Sequence, residues 1–126
     1  MKPETAEWIA KAEGNWSVAG REMQAAQPVW NIVCFLAQQC AEQYLKAFLE
    51  EQGITFRKTH DLVVLLSSTS GSIKELHQYS RDLAYLGTLG IAARYPGTDA
   101  DQDITEDALR IAAVVRSAVR AKLGVD

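Results

Sequence analysis

Residues 29–49, VWNIVCFLAQQCAEQYLKAFL, constrain what this chain can fold into more than any other stretch. No glycine or proline interrupts them, and their apolar and polar residues keep a helical period throughout. The first half is apolar nearly all the way round (Trp30, Ile32, Val33, Cys34, Phe35, Leu36, Ala37), the pattern of a helix covered on most sides. From Gln38 onward a polar stripe opens at Gln39, Gln43 and Lys46, with Glu42 and Glu50 beside it. The expectation is a central helix buried at its start and wetted along one side at its end, where Glu42 and Lys46 form an i,i+4 pair. Gly53 suits the left-handed residue that ends such a helix.

The remaining segments supply partners for it. Over residues 4–26, Trp8, Ala12, Trp16, Ala19 and Met23 recur nearly every fourth position, Pro3 fits the first turn, and Gln27-Pro28 breaks the pattern. The short connection makes the first two helices antiparallel neighbours. Residues 54–60 read as a loop, with Phe56 plugged into the core and Arg57 and Lys58 outside. Residues 62–66, LVVLL, have the composition of a buried strand, but no other segment offers a strand partner, so a short helix capped by Thr59 is predicted. Ser72 and Glu75 spell a capping box for a helix whose inner face carries Ile73, Leu76, Leu83, Leu86 and Gly90. Gly87 and Gly90 loosen its second half, and Arg94-Tyr95-Pro96-Gly97 ends it. After the acidic loop 98–103, Asp103 or Thr105 caps a last helix to Leu123, with Leu109, Ala112, Val115 and Val119 inward. The predicted fold is all-α: an antiparallel four-helix up-and-down bundle with one additional short helix, in a single domain spanning residues 1–126.

Several functions are disfavoured. With 13 Lys+Arg against 16 Asp+Glu the formal charge is −3, so nucleic-acid contact requires a local basic patch. Cys34 and Cys40 lie on one helix about 9 Å apart, too far for a disulfide, and read as buried thiols of a reducing compartment. Neither a secretory signal nor a membrane span is recognisable, and a cytoplasmic location is expected. Asp99, Asp101 and Asp103 alternate like the start of a calcium loop, but Ile104 and Arg110 stand where glycine and glutamate are needed. His60, His77 and the two cysteines lack metal-ligand spacing, so no metal and no cofactor is expected. Phosphate-loop and nucleophile-elbow motifs are missing as well.

Two polar clusters remain as candidate ligand sites. In Lys58-Thr59-His60-Asp61, preceded by Arg57, cations, a hydroxyl and an imidazole fall just before a helix N-terminus, whose free N–H groups suit phosphate. The plainer alternative is a capped helix with His60 bonded to a carboxylate or carbonyl. The second cluster is Arg94-Tyr95, for which the alternative is Tyr95 packed under the loop and Arg94 paired with the acidic residues after it.

Taken together, these pieces resemble the HEPN family of small helical domains. The resemblance rests on Ala6-Glu7-Trp8-Ile9-Ala10-Lys11-Ala12; on Cys34-Phe35, Ala37-Gln38-Gln39, Ala41-Glu42 and Leu45-Lys46-Ala47; on Lys58-Thr59-His60-Asp61-Leu62; and on Ala93-Arg94-Tyr95-Pro96. It implies a bundle that commonly forms a homodimer and acts in nucleotide or RNA transactions, frequently in toxin-antitoxin systems beside a minimal nucleotidyltransferase. Active ribonucleases of the family carry an arginine followed after four to six residues by histidine. Here Arg94 is followed at those offsets by Asp99, Ala100 and Asp101, and Leu36 stands where relatives often have histidine. The resemblance therefore points to nucleotide, RNA or nucleotidyltransferase binding through Lys58, Thr59, His60, Asp61, Arg94 and Tyr95, with no residue assigned a catalytic role. A divergent, metal-independent ribonuclease in which Arg94 and His60 meet in space is the alternative, and a purely structural partner-binding bundle is the third reading. The polar stripe of the central helix belongs to the same motif set, and is expected to face a partner or the site.

Overall fold

Helix breakers set the element boundaries in this protein, described here by a computed structural model of residues 1–126. The elements are α1 (Pro3–Met23), α2 (Trp30–Glu51), α3 (Leu62–Ser68), α4 (Ser80–Ala92) and α5 (Gln102–Leu123), with a 3-10 segment, Lys74–Tyr79, leading into α4. Pro3 stands in the first turn of α1. Gly53, at φ +69°, closes α2, and the Ile54 N–H donates back to the Leu49 carbonyl at 2.9 Å. No strand forms, and residues 62–66 are helical as predicted.

Cross-links give the helix directions. Lys2 reaches Glu50 and Glu51, and Asn15 reaches Gln43, so α1 runs antiparallel to α2. Gly90 packs on Gln38 and Arg94 on Phe35, so α4 is also antiparallel to α2. Thr105 meets Cys34 and Arg120 meets Tyr44, which makes α5 parallel to α2. The result is an up-down-up-down bundle with α2 at its centre and α3 as the additional short helix. One continuous core joins Leu45 and Leu49 of α2 to Leu62 and Leu65, Leu83 and Leu86, and Ile111 and Val115. Truncating any of these leucines to alanine costs about 2–5 kcal/mol.

Four local expectations are corrected. The apolar first half of α2 is the less covered half: Ile32 is 47% exposed, whereas Lys46 is buried. The chain leaving α2 doubles back and brings His60 of the 54–61 loop onto Gln38 and Glu42, while Trp8 and Asn15 of α1 meet Lys46 and Gln43, so the expected wet stripe is largely covered. Asp61, not Thr59, caps α3, accepting from Val63 N and Val64 N. The Ser72–Glu75 box does not form, because Ser70 and Gly71 turn through positive φ and the Ser72 hydroxyl donates to Thr69 O instead. Asp101 caps α5, and the Thr105 hydroxyl donates to the Asp101 carbonyl.

Candidate functional site

One face of α2 carries Gln38, Glu42 and Lys46 at successive four-residue steps, so all three side chains lie in one row. All three are buried. The Glu42 carboxylate accepts from Lys46 Nζ at 2.9 Å and from Gln38 Nε2 at 3.1 Å. A buried carboxylate with an ammonium partner and further donors is a satisfied one. Lys46 also lies 5.4 Å from the Trp8 ring centroid, and Trp8 meets Phe56 edge to face.

The loop before α3 brings His60 onto this row. Its backbone carbonyl accepts from Gln38 Nε2 at 3.2 Å, and its Nδ1 lies 3.0 and 3.2 Å from the two Glu42 oxygens. A carboxylate only accepts, so Nδ1 carries the proton and a neutral ring keeps its lone pair on Nε2. The Glu42 side chain is 4% exposed and that of His60 is 72% exposed. One end of the imidazole is anchored in the core and the other opens outward.

His60 is also one of the residues lining a cavity of about 360 Å³, within the size range of small-molecule clefts. Leu62 and Val63 of α3 and Leu83, Ala84 and Ile91 of α4 make its apolar walls, and Gln38, His60, Asp61 and Arg94 bring polar groups to it. Arg94 stacks 5.2 Å from the Phe35 ring centroid and has no carboxylate partner. The acidic residues that follow do not reach it. Asp99 accepts from Asn31 Nδ2 at 2.8 Å, and the Ala100 N–H donates to Asn31 Oδ1, which ties that loop to α2. A donor-only guanidinium thus lines the same apolar hollow as His60.

The six residues singled out from sequence separate here. His60, Asp61 and Arg94 share the cavity. Lys58 is exposed, outside the cavity lining, and Tyr95 is 66% exposed instead of packed under its loop. Thr59 holds the turn, its hydroxyl accepting from the Asp61 N–H at 3.0 Å. At the α3 N-terminus, where phosphate is expected from sequence, the N–H groups of Val63 and Val64 already donate to Asp61. An anion here depends on Arg94. Gln38 and Glu42 belong to the motif set expected from sequence to face a partner or the site, but not to the six candidate ligand residues; their four-residue spacing amid buried neighbours is the signal that marks them. On the α4 wall, Ala84 and Ile91 read as ordinary helix and Gly87 only as a weakness in it.

A second polar network lies across the bundle. Glu13 of α1 takes a bidentate Arg116 at 2.7 Å on both oxygens, with Arg120 at 3.6 Å and the Tyr44 hydroxyl also bonded to it. The Arg116 hydrogen bonds hold the Glu13 carboxyl below its usual range, and burial pushes the Tyr44 phenol up to about 12. Burial likewise raises the Cys40 thiol to about 12 and raises that of Cys34. No group of three or more His, Cys, Asp and Glu side chains is arranged to hold a metal ion, and no helix is long and apolar enough to cross a membrane.

Comparison with known proteins agrees with this architecture. The family model of the HEPN domain matches residues 5–122. Among solved structures, the crystal structure of an archaeal HEPN homologue superposes with a TM-score of 0.76 at 23% identity, covering 97% of this chain and 98% of that one. No curated protein sequence matches significantly. The fold and the family match define a helical-bundle domain of the HEPN class. This chain belongs to the HEPN family.

Proposed function

We propose that this HEPN domain binds a nucleotide, free or at an exposed position of RNA, in the cavity between α3 and α4. The observation that carries the reading is the pairing of an unneutralised guanidinium, Arg94, with a partner-free imidazole nitrogen, His60 Nε2, beside apolar walls. Arg94 takes the phosphate, the walls take the base, and His60 accepts from a ligand hydroxyl or amine. The domain acts as a homodimer in a toxin-antitoxin-type system with a minimal nucleotidyltransferase. The exposed apolar residues Ile32, Ile91 and Tyr95 support such association.

Calorimetric titration of the full chain with adenosine monophosphate and with a short oligoribonucleotide tests it. Binding is expected, and Arg94→Ala and His60→Ala each weaken it about tenfold or more. Absence of binding to both probes refutes the reading. One observation favours a second: an imidazole oriented by a carboxylate, next to a free arginine, is the equipment of a general base beside an anion holder. Under that reading the chain is a metal-independent ribonuclease. Cleavage of labelled RNA in the presence of a chelator, abolished by both substitutions, would displace the binding-only reading.

A further inference from the structure

Two glycines three residues apart on α4 have different reasons to be there. At Gly90 an added Cβ would come within 2.8 and 2.9 Å of the Gln38 side chain, so glycine is what lets α4 close onto α2 beside the site. At Gly87 the added atom would meet nothing within 4 Å, and the backbone does not adopt the positive φ that favours glycine. Neither packing nor conformation within this chain calls for glycine at 87, and glycine is a weaker helix former than alanine. Gly14 and Gly20 of α1 are equally unconstrained, but they are exposed. Gly87 is half-buried and lines the cavity.

We propose that Gly87 determines what the cavity accepts: the bare stretch of α4 backbone it leaves is a shelf for a flat heteroaromatic ring, a nucleobase. Leu62 and Val63 of α3 supply further apolar surface, and Arg94, in the turn just past the end of α4, takes the attached phosphate. A side chain at 87 would project into this space and exclude the ring while leaving the guanidinium untouched. This inference rests on the nucleotide-binding reading and adds that Gly87, by leaving this stretch of α4 bare, decides whether the base fits.

The test separates the base from the phosphate. Full-length wild type, Gly87→Ala and Gly87→Leu are titrated calorimetrically with adenosine monophosphate and with ribose 5-phosphate, which lacks the base. Wild type is expected to bind the nucleotide about tenfold or more tighter than the sugar phosphate. In Gly87→Leu that preference collapses to about onefold because nucleotide affinity falls while sugar-phosphate affinity stays. Gly87→Ala weakens nucleotide binding by a smaller factor and raises the melting temperature by about 2–4 °C, so that stability and affinity move in opposite directions. If Gly87→Leu does not fold, Gly87→Ala decides alone: unchanged nucleotide affinity overturns the proposal. Nucleotide binding that is equally tight in wild type and Gly87→Leu overturns the shelf and leaves the nucleotide reading standing. No binding of the nucleotide by wild type overturns both.

Discussion

Glu13 and Glu42 are both carboxylates held by cations, Glu13 across helices and Glu42 by Lys46 of its own helix, and their surroundings end differently. Around Glu13 the network closes: Arg116, Arg120 and Tyr44 converge on it, Arg116 stacks over Trp16, and α1, α2 and α5 are joined. Around Glu42 the network runs outward from a buried Lys46, through the carboxylate, to an imidazole whose far nitrogen has no partner, next to a cavity and an unpaired Arg94. A closed network stabilises geometry; an open one leaves hydrogen-bonding capacity for a ligand. The same chemical ingredients therefore serve a structural end on one side of α2 and a candidate site on the other.

The largest expected effect tests how deeply the open network is rooted. Glu42→Ala leaves the Lys46 ammonium buried without a counter-charge and should cost about 3–5 kcal/mol in urea unfolding. Replacing both partners, Glu42→Leu with Lys46→Met, should recover most of that loss while leaving His60 unanchored. A cost below about 1 kcal/mol for Glu42→Ala would mean that water reaches the pair, and the contrast with Glu13 would weaken.

Glu13→Ala is expected to cost less, about 1–2 kcal/mol, because its side chain and that of Arg116 are 30% and 27% exposed and solvent screens them. This network has a pH signature of its own. The folded carboxyl titrates below its ordinary value near 4.5, so its stabilisation is complete above that pH and is lost as pH falls through the folded value. Melting temperatures measured from pH 6 down to about 3 should drop less steeply in Glu13→Gln than in wild type. Equal slopes would remove Glu13 as a linkage site.

The same contrast explains what could be read from sequence. The all-α bundle was legible because helical periodicity, Pro3, Pro28 and Gly53 all act locally, and the apolar stripes of α4 and α5 agreed with them. His60, Asp61 and Arg94 stood out as polar groups at breaks in apolar pattern. Burial along α2 was misread because a polar stripe looks wet until the 54–61 loop is known to fold over it, and loop placement is a tertiary matter. Arg94's freedom was likewise hidden: adjacency to Asp99 suggested an ion pair, and only the Asn31 clasp, 68 residues away in sequence, takes that carboxylate elsewhere. Gly87 was legible as a helix weakness but not as a wall of a cavity, since the cavity exists only once α3 and α4 are packed.

The smallest expected stability change is the sharpest test of the open network. With its ring 72% exposed, His60 contributes little to the core, so His60→Ala should alter the unfolding free energy by no more than about 0.5 kcal/mol. Nucleotide affinity should nevertheless fall about tenfold, because His60 lines the cavity and the proposed contact to its ring is lost. Stability and binding then separate at this residue, whereas at Glu13 only stability is expected to move. A His60→Ala variant destabilised as much as Glu42→Ala, with its binding intact, would make the imidazole a clasp that fastens the 54–61 loop to α2. Both networks would then be closed, and Arg94 alone would have to account for any ligand.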